Sequence, residues 1–347
     1  MRKKAVLVGC GAMAATWVQA LREPSLVDRV GLTGLVDLDL AAADRLRNEF
    51  SIADCLTGTD LDEMLSNLRP EIVFDVTVPS ARLAVVQASL GRGCHVLSEK
   101  PMATSLEDAG KIRQAAFVAG RLFAVCQNRR FKEGIRRAHA AIQSGVLGTV
   151  NAIHCDFFVG AHFGGFRDVM QHVLLLDMAI HTFDAARFLS GQEPVAVYCH
   201  ESNPLGSWYT HGSAANAIFE FTGDVVFTYR GSWSAEGANT SWDSAWRIVG
   251  SRGTLLWDGE NEFVLNVVDG EEGFFRPLRQ VDVPSAPDRR LANGHMSVID
   301  DFLDAIEKGR EPETSGRNNI KSLAMVFSAI ESAAARRRIP IDVQEAA

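Results

Sequence analysis

The residues Lys4-Ala5-Val6-Leu7-Val8 run directly into Gly9-Cys10-Gly11-Ala12-Met13-Ala14. An apolar strand, a Gly-x-Gly-x-x-Ala turn and a helix-forming stretch in that order commit the start of this chain to a strand–turn–helix unit that holds a dinucleotide. Gly9 permits the tight turn, Gly11 lets the backbone approach a pyrophosphate, and Ala14 is small enough for the helix to lie against the sheet. The backbone of Ala12 and Met13 opens the helix, whose unpaired N–H groups suit a diphosphate.

The second strand candidate, Gly31–Val36, ends at Asp37, a separation from Gly11 that fits one strand–helix–strand unit. A carboxylate there accepts hydrogen bonds from both adenine-ribose hydroxyls and repels a 2′-phosphate, which favours NAD over NADP. Asp37 or Asp39 could instead cap the helix through Ala41–Phe50. Further strands are read at 72–77, 95–98 and 122–126, alternating with helices. Thr77 and Pro79 lie at the end of the first of these, and Glu99-Lys100-Pro101 at the end of the second. Short connections between alternating elements indicate a doubly wound parallel sheet over residues 1–127. Carboxyl ends of such strands are where ligands sit, so Thr77, Pro79, Glu99 and Lys100 are candidate cofactor contacts. Pro101 restricts Lys100 to an extended conformation, which presents its ammonium group as a proton donor or electrostatic anchor.

From residue 128 the rhythm changes. The strand candidates 150–158, 195–202, 215–222, 225–232, 245–250, 254–258 and 262–268 carry few intervening helices. They predict an α+β domain over 128–347 with an open, mostly antiparallel sheet, Gly223-Asp224 forming a hairpin turn, and C-terminal helices able to pack back on the first domain. A helical stretch over 174–189 holds Asp177 and His181, four residues apart and so on one face, with Asp184 near the same stripe. Two proton-transfer groups in a mostly apolar helix point to chemistry. A histidine can titrate near neutrality and take the proton of an alcohol, while an aspartate orients the substrate. No third ligand of familiar spacing accompanies them, so no metal is expected. His162, Arg167, His172 and Arg230 add a local positive balance suited to an acidic or phosphorylated substrate, despite a formal net charge of -8.

That net charge argues against extended nucleic-acid or anionic-membrane contacts. The six scattered cysteines form no Cys-x-x-Cys pair, and the opening Met-Arg-Lys-Lys meets a strand rather than a cleavage region. A cytoplasmic chain with free buried thiols is expected. The tryptophans at 208, 233, 242, 246 and 257 suggest an apolar sheet face covered by a second subunit, in a homodimer or homotetramer.

Four elements together resemble the glucose–fructose oxidoreductase / inositol dehydrogenase / rhizopine-catabolism (Gfo/Idh/MocA) family: the glycine turn, Glu99-Lys100-Pro101, Gln127-Asn128-Arg129-Arg130-Phe131, and Asp177-Met178-Ala179-Ile180-His181. The resemblance implies assembly through the second-domain sheet. It also implies hydride transfer between NAD and one carbon of a sugar, polyol, inositol or sugar derivative. It carries Lys100, Asp177 and His181 over as catalytic and substrate-binding residues. Beside it, Arg130, His162, Arg167 and His172 are further candidate substrate contacts. Two departures stand out. His172-Val173 replaces a pair of glycines, and Leu83 replaces a histidine four residues after the proline. A glycoside-cleaving enzyme using transient oxidation, and a non-catalytic sugar sensor, are the other functions such a chain could have.

Overall fold

The computed structural model describes residues 2–342. They form two compact units, 2–128 with 293–320 and 129–292 with 321–342.

In the first unit the chain alternates strand and helix: β1 (Lys3–Val8), α1 (Ala12–Leu21), β2 (Val30–Val36), α2 (Leu40–Glu49), β3 (Leu56–Gly58), α3 (Leu61–Leu68), β4 (Ile72–Asp75), α4 (Pro79–Gly91), β5 (His95–Ser98), α5 (Leu106–Ala119) and β6 (Phe123–Val125). Three of these helices, α2, α3 and α5, start at side chains that cap them. Asp39, Asp60 and Ser105 accept from Ala41 N, Glu63 N and Asp108 N at 3.0, 2.9 and 3.1 Å. The six strands are all parallel, in the order β3-β2-β1-β4-β5-β6. Ala5, Val6 and Leu7 of β1 and Ile72, Val73 and Phe74 of β4 are wholly buried, as central strands covered on both faces must be. The order reverses between β1 and β4, so the carboxyl ends of these two strands open a crevice beside Val8 and Asp75. β3 and α3 are not among the elements expected from the sequence. β3 is a three-residue edge strand with Leu56 exposed, too short to show a period.

The second unit contains α6 (Glu133–Gln143), β7 (Val150–Phe158), a π-helical turn at Leu174–Ala179, α7 (Ile180–Ser190), β8 (Pro194–Ser202), β9 (Ala214–Phe221), β10 (Val226–Ser232), β11 (Ala245–Gly250), β12 (Gly253–Trp257), β13 (Phe263–Val268) and β14 (Leu278–Val281). Two later helices follow, α8 (His295–Lys308) in the first unit and α9 (Gly316–Ala335), within which the boundary falls, and then β15 (Ile339–Pro340) in the second. The nine-stranded sheet runs β14-β13-β12-β11-β7-β10-β9-β8-β15. Only β7 and β10 pair in parallel. β9 and β10 form the expected hairpin, with Gly223 and Asp224 both in the left-handed region (φ 68° and 59°). α7 is buried almost throughout. Its Phe183 packs on Phe219 and Tyr229 of the sheet, ring centroids 4.7 and 5.3 Å away.

α8 belongs with the first unit because Arg29 holds it. That guanidinium pairs with Asp304 (2.8 Å), Glu307 (2.9 Å) and Asp300. Three tryptophans expected to mark an open sheet face, Trp233, Trp246 and Trp257, are instead buried within the chain. Apolar residues left exposed on the sheet include Val195, Tyr198, Ile218 and Val226, with Tyr198 opposite Ile218 across β8 and β9.

Arg130, expected at the substrate, is a structural cation of the second unit. Its guanidinium donates two bonds to the fully buried Asp184 (2.6 and 2.7 Å), which also accepts from Ser322 at 2.7 Å. Asp184 therefore lies in this network and is not available to the Asp177 stripe. Removing one partner of such a pair strands a buried charge. Arg130→Met should lower unfolding stability by about 3–5 kcal/mol in a urea titration followed by tryptophan fluorescence, whereas Arg130→Met with Asp184→Leu should recover most of the loss. An Arg130→Met transition at the wild-type urea concentration would contradict the assignment.

Candidate active site

The glycine turn fits a dinucleotide at three points. Gly9 has φ +92°, and a Cβ there would lie 2.8 Å from the Val76 carbonyl carbon, so no other residue fits between β1 and the end of β4. At Gly11, which starts α1, a Cβ would meet no atom within 4 Å, so the backbone faces open space where a diphosphate can approach. Ala12 and Met13 are exposed beside it, and Ala14 is wholly buried against the sheet. Asp37 is fixed beside this turn. Its Oδ2 accepts from Cys10 N at 2.7 Å and its Oδ1 from Asp39 N at 2.9 Å. Each oxygen keeps acceptor capacity for a ribose hydroxyl. Asp39, not Asp37, caps α2. Burial, and secondarily the Asp37 charge, pushes the Cys10 thiol up to about 12, so it stays protonated at the turn.

The next stretch is organised by a buried carboxylate. Asp75, at the end of β4, accepts from Thr77 N (3.0 Å), Thr77 Oγ1, Ser98 Oγ (2.9 Å) and Arg82 Nε (2.9 Å). Arg82 in turn donates to the carbonyls of Thr77 (2.6 Å) and Pro101. One ion pair, with neither side chain exposed, thereby fixes both the 77–79 turn and the Lys100–Pro101 segment. Thr77 faces inward through these bonds, while Pro79 is exposed at the first turn of α4. Lys100 is half-buried just past β5. Glu99 points into the protein and receives Trp17 Nε1 at 2.8 Å and Lys100 N at 3.1 Å.

In the second unit, Arg167 and Asp177 are brought together, Nε to Oδ2 2.8 Å. The Arg167 guanidinium also lies over the rings of Phe166 and Phe163, at 4.8 and 4.9 Å from their centroids, which holds it in one orientation. Asp177 stands in the π-helical turn and His181, largely buried, in the first turn of α7. The π turn widens the backbone where the expected helix would have continued at regular spacing. His181 lines a small recess with Arg129, Met178, Trp242 and Asp243. His162 stacks on Trp208 (3.7 Å) and pairs with Glu236 at 2.8 Å. Arg230 is engaged on the outer surface with Asp156, its register partner on β7.

His172 explains one departure from the family pattern. Its φ is +53°, the left-handed conformation that a glycine adopts without strain. The imidazole Nδ1 lies 2.6 Å from Glu201 Oε2. Burial raises the Glu201 carboxyl above its ordinary value, and the His172 hydrogen bond and charge oppose that shift. The His172 side chain thus serves a half-buried carboxylate.

A family model described as an oxidoreductase family with an NAD-binding Rossmann fold matches residues 3–127, and one described as the GFO/IDH/MocA C-terminal domain matches 135–256. The chain belongs to the Gfo/Idh/MocA oxidoreductase family. It is an enzyme that uses NAD, in keeping with the cradle at Gly9, Gly11 and Asp37. It is similar to an uncharacterized protein of Sinorhizobium fredii, 26% identical over 358 residues, covering 99% of this chain and 97% of that one. It is likewise similar to a D-apiose dehydrogenase of Paraburkholderia graminis, 24% identical over 358 residues, covering 99% and 91%. Its fold matches that of an Agrobacterium radiobacter oxidoreductase solved with NAD+, L-tartaric acid and magnesium, with TM-score 0.86, 21% identity and coverage of 98% and 99%.

Arg82, Asp75, Trp17 and His295 are functional positions that the sequence does not announce. The only local signal for the first two was an acid and an arginine seven residues apart across the Pro79 helix start.

Asp37→Ala should weaken NADH binding, measured by quenching of tryptophan fluorescence, by about tenfold or more through loss of two charge-assisted bonds. The same variant should narrow the preference over NADPH. Wild-type protein that binds NADPH as tightly as NADH would contradict the role given to Asp37.

Proposed function

We propose that this enzyme transfers a hydride between NAD and a secondary alcohol carbon of a sugar, polyol, inositol or sugar derivative, using Lys100, Asp177 and His181. NAD supplies the hydride acceptor when bound. Oxidation removes a proton from the alcohol oxygen and a hydride from the carbon that bears it. His181 takes the proton at an imidazole nitrogen, a role that suits a largely buried histidine at a helix start. Lys100 places its ammonium group at the oxygen as negative charge develops. Asp177, oriented by Arg167, accepts a neighbouring hydroxyl. Arg167 and the exposed His162 supply further donors to hydroxyl or carboxylate groups.

The observation that carries this reading is the pairing, in one chain of this family, of a lysine set rigidly at the end of β5 with an Asp177–His181 element whose acid is held by Arg167. The D-apiose dehydrogenase among its relatives is named for a sugar substrate, which supports the substrate class.

Among the described residues no helix is long and apolar enough to cross a membrane. The exposed Tyr198–Ile218 strip and its neighbours on the sheet support assembly into a homodimer or homotetramer. Light scattering should therefore give at least twice the chain mass of 37.8 kDa, and Ile218→Lys should shift the protein toward the monomer. A wild-type monomer at micromolar concentration would exclude it.

The enzymatic test is a panel of sugars, polyols and inositols with NAD, read by NADH absorbance. With the best substrate, His181→Ala should cut kcat by about 10²–10⁴-fold while NADH affinity stays near wild type. Lys100→Ala should also lower kcat strongly. Folded His181→Ala retaining near-full kcat would remove that residue from the chemistry.

A further inference from the structure

Glu99 has a buried carboxylate whose partners all come from the first unit. Trp17 Nε1 donates to Oε1 at 2.8 Å, Lys100 N donates to Oε2 at 3.1 Å, and His295 Nε2 lies 3.4 Å from Oε1. On its other side the His295 ring meets Asn128, with Nδ2 2.9 Å from Nδ1. An amide NH2 only donates, so Nδ1 accepts and Nε2 carries the hydrogen that faces Glu99. The ring also packs edge-on against the Trp17 indole, centroids 6.2 Å apart. Its position is set by rigid surroundings. His295 is the first residue of α8, which follows Gly294 and is tied down by Arg29.

Burial alone would raise the Glu99 carboxyl. The His295 and Trp17 hydrogen bonds and the Lys100 charge together hold it below its ordinary value, so the group is an anion. An anion with one oxygen clamped by two ring N–H groups has little rotational freedom. Its second oxygen is then fixed on the amide of the very residue that carries the ammonium group.

We propose that His295 is a positioning residue for Lys100, acting through Glu99: the Asn128–His295–Glu99 chain locks the carboxylate that holds the Lys100 backbone. The inference rests on the role given to Lys100 above. It assigns Glu99 to the lysine rather than to a direct cofactor contact, and it gives α8 a part in the site although that helix is remote in sequence. Cys126 Sγ, with the Glu99 and His295 ligand atoms, falls within a 4.8 Å cluster that could suggest a metal ion. The hydrogen bonding opposes this. Trp17 N–H already occupies Oε1, the Nε2 lone pair is replaced by a hydrogen, and burial first of all pushes the Cys126 thiol well above its ordinary value.

The test compares His295→Phe, which keeps a ring but neither nitrogen, with His295→Gln, which can restore a donor toward Glu99. The substrate-independent readout is amide exchange of Lys100 in protein labelled with 15N-lysine, the peak assigned with Lys100→Arg. His295→Phe should speed exchange at Lys100 by about tenfold, as expected for a weakened charge-assisted bond, and His295→Gln should restore most of the protection. Asn128→Leu should loosen the same amide, and serves in place of His295→Phe should that variant fail to fold. In turnover, His295→Phe should lower kcat about tenfold with the KM for NAD nearly unchanged, again largely rescued by glutamine.

Wild-type exchange at Lys100 in folded His295→Phe, or wild-type kcat there while Lys100→Ala is inactive, would overturn the proposal. So would a rise in melting temperature with Zn2+ that His295→Phe abolishes, because that would make the cluster a metal site. Should Lys100→Ala itself keep full kcat, the reading of Lys100 fails, and the exchange measurement alone decides whether His295 positions the segment.

Discussion

The buried Asp75 carboxylate is the constraint on which the nucleotide-binding unit depends. Burying a charge is costly unless donors surround it, and Asp75 receives four bonds from Thr77, Ser98 and Arg82. The guanidinium that neutralises it also ties down the carbonyls of Thr77 and Pro101. Two separate strand ends, after β4 and after β5, are therefore held by one ion pair. Gly9 packs against the same place, with no room for a Cβ beside Val76. The cradle at the glycine turn and the lysine at the end of β5 thus share one rigid foundation, as preorganised sites require.

The substrate-binding unit uses the same device differently. Arg130, Asp184 and Ser322 form a buried network, while Arg167 and Asp177 form a partly exposed one. The first joins α7 to the sequence around Phe131 and to α9, and the second leaves charge where a polar ligand can reach it. Between the two lies His181, just after the π-helical turn. Such turns are frequent at functional sites because they change which side chains a helix presents.

Much of this was legible in the sequence where the signal was local. The glycine turn, the acid at the end of β2, the Lys100-Pro101 pair and the alternation of Ile153, Cys155 and Phe157 on β7 each depend on neighbours within a few residues. What was not legible depends on partners far apart in the chain. Glu99 reads as a cofactor contact until Trp17 and His295 are seen to occupy it. Arg130 and Arg167 are both arginines of the second unit, and only the depth of burial separates the structural one from the partly exposed one. The π turn leaves no trace because the apolar content of 174–189 suits a regular helix equally well. The tryptophans misled for a related reason. Residue type announces apolar surface but not which face of the sheet it covers, and the exposed face is carried by Tyr198 and Ile218.

The central claim is direct hydride transfer from a carbinol carbon. The most direct measurement uses the best substrate of the panel carrying deuterium at that carbon, with mass spectrometry of both products. One deuterium is expected in the reduced nicotinamide for each ketone or lactone formed, with none in the solvent. Deuterium released to water, or product formed with the label still on its carbon and no net NADH, would contradict it.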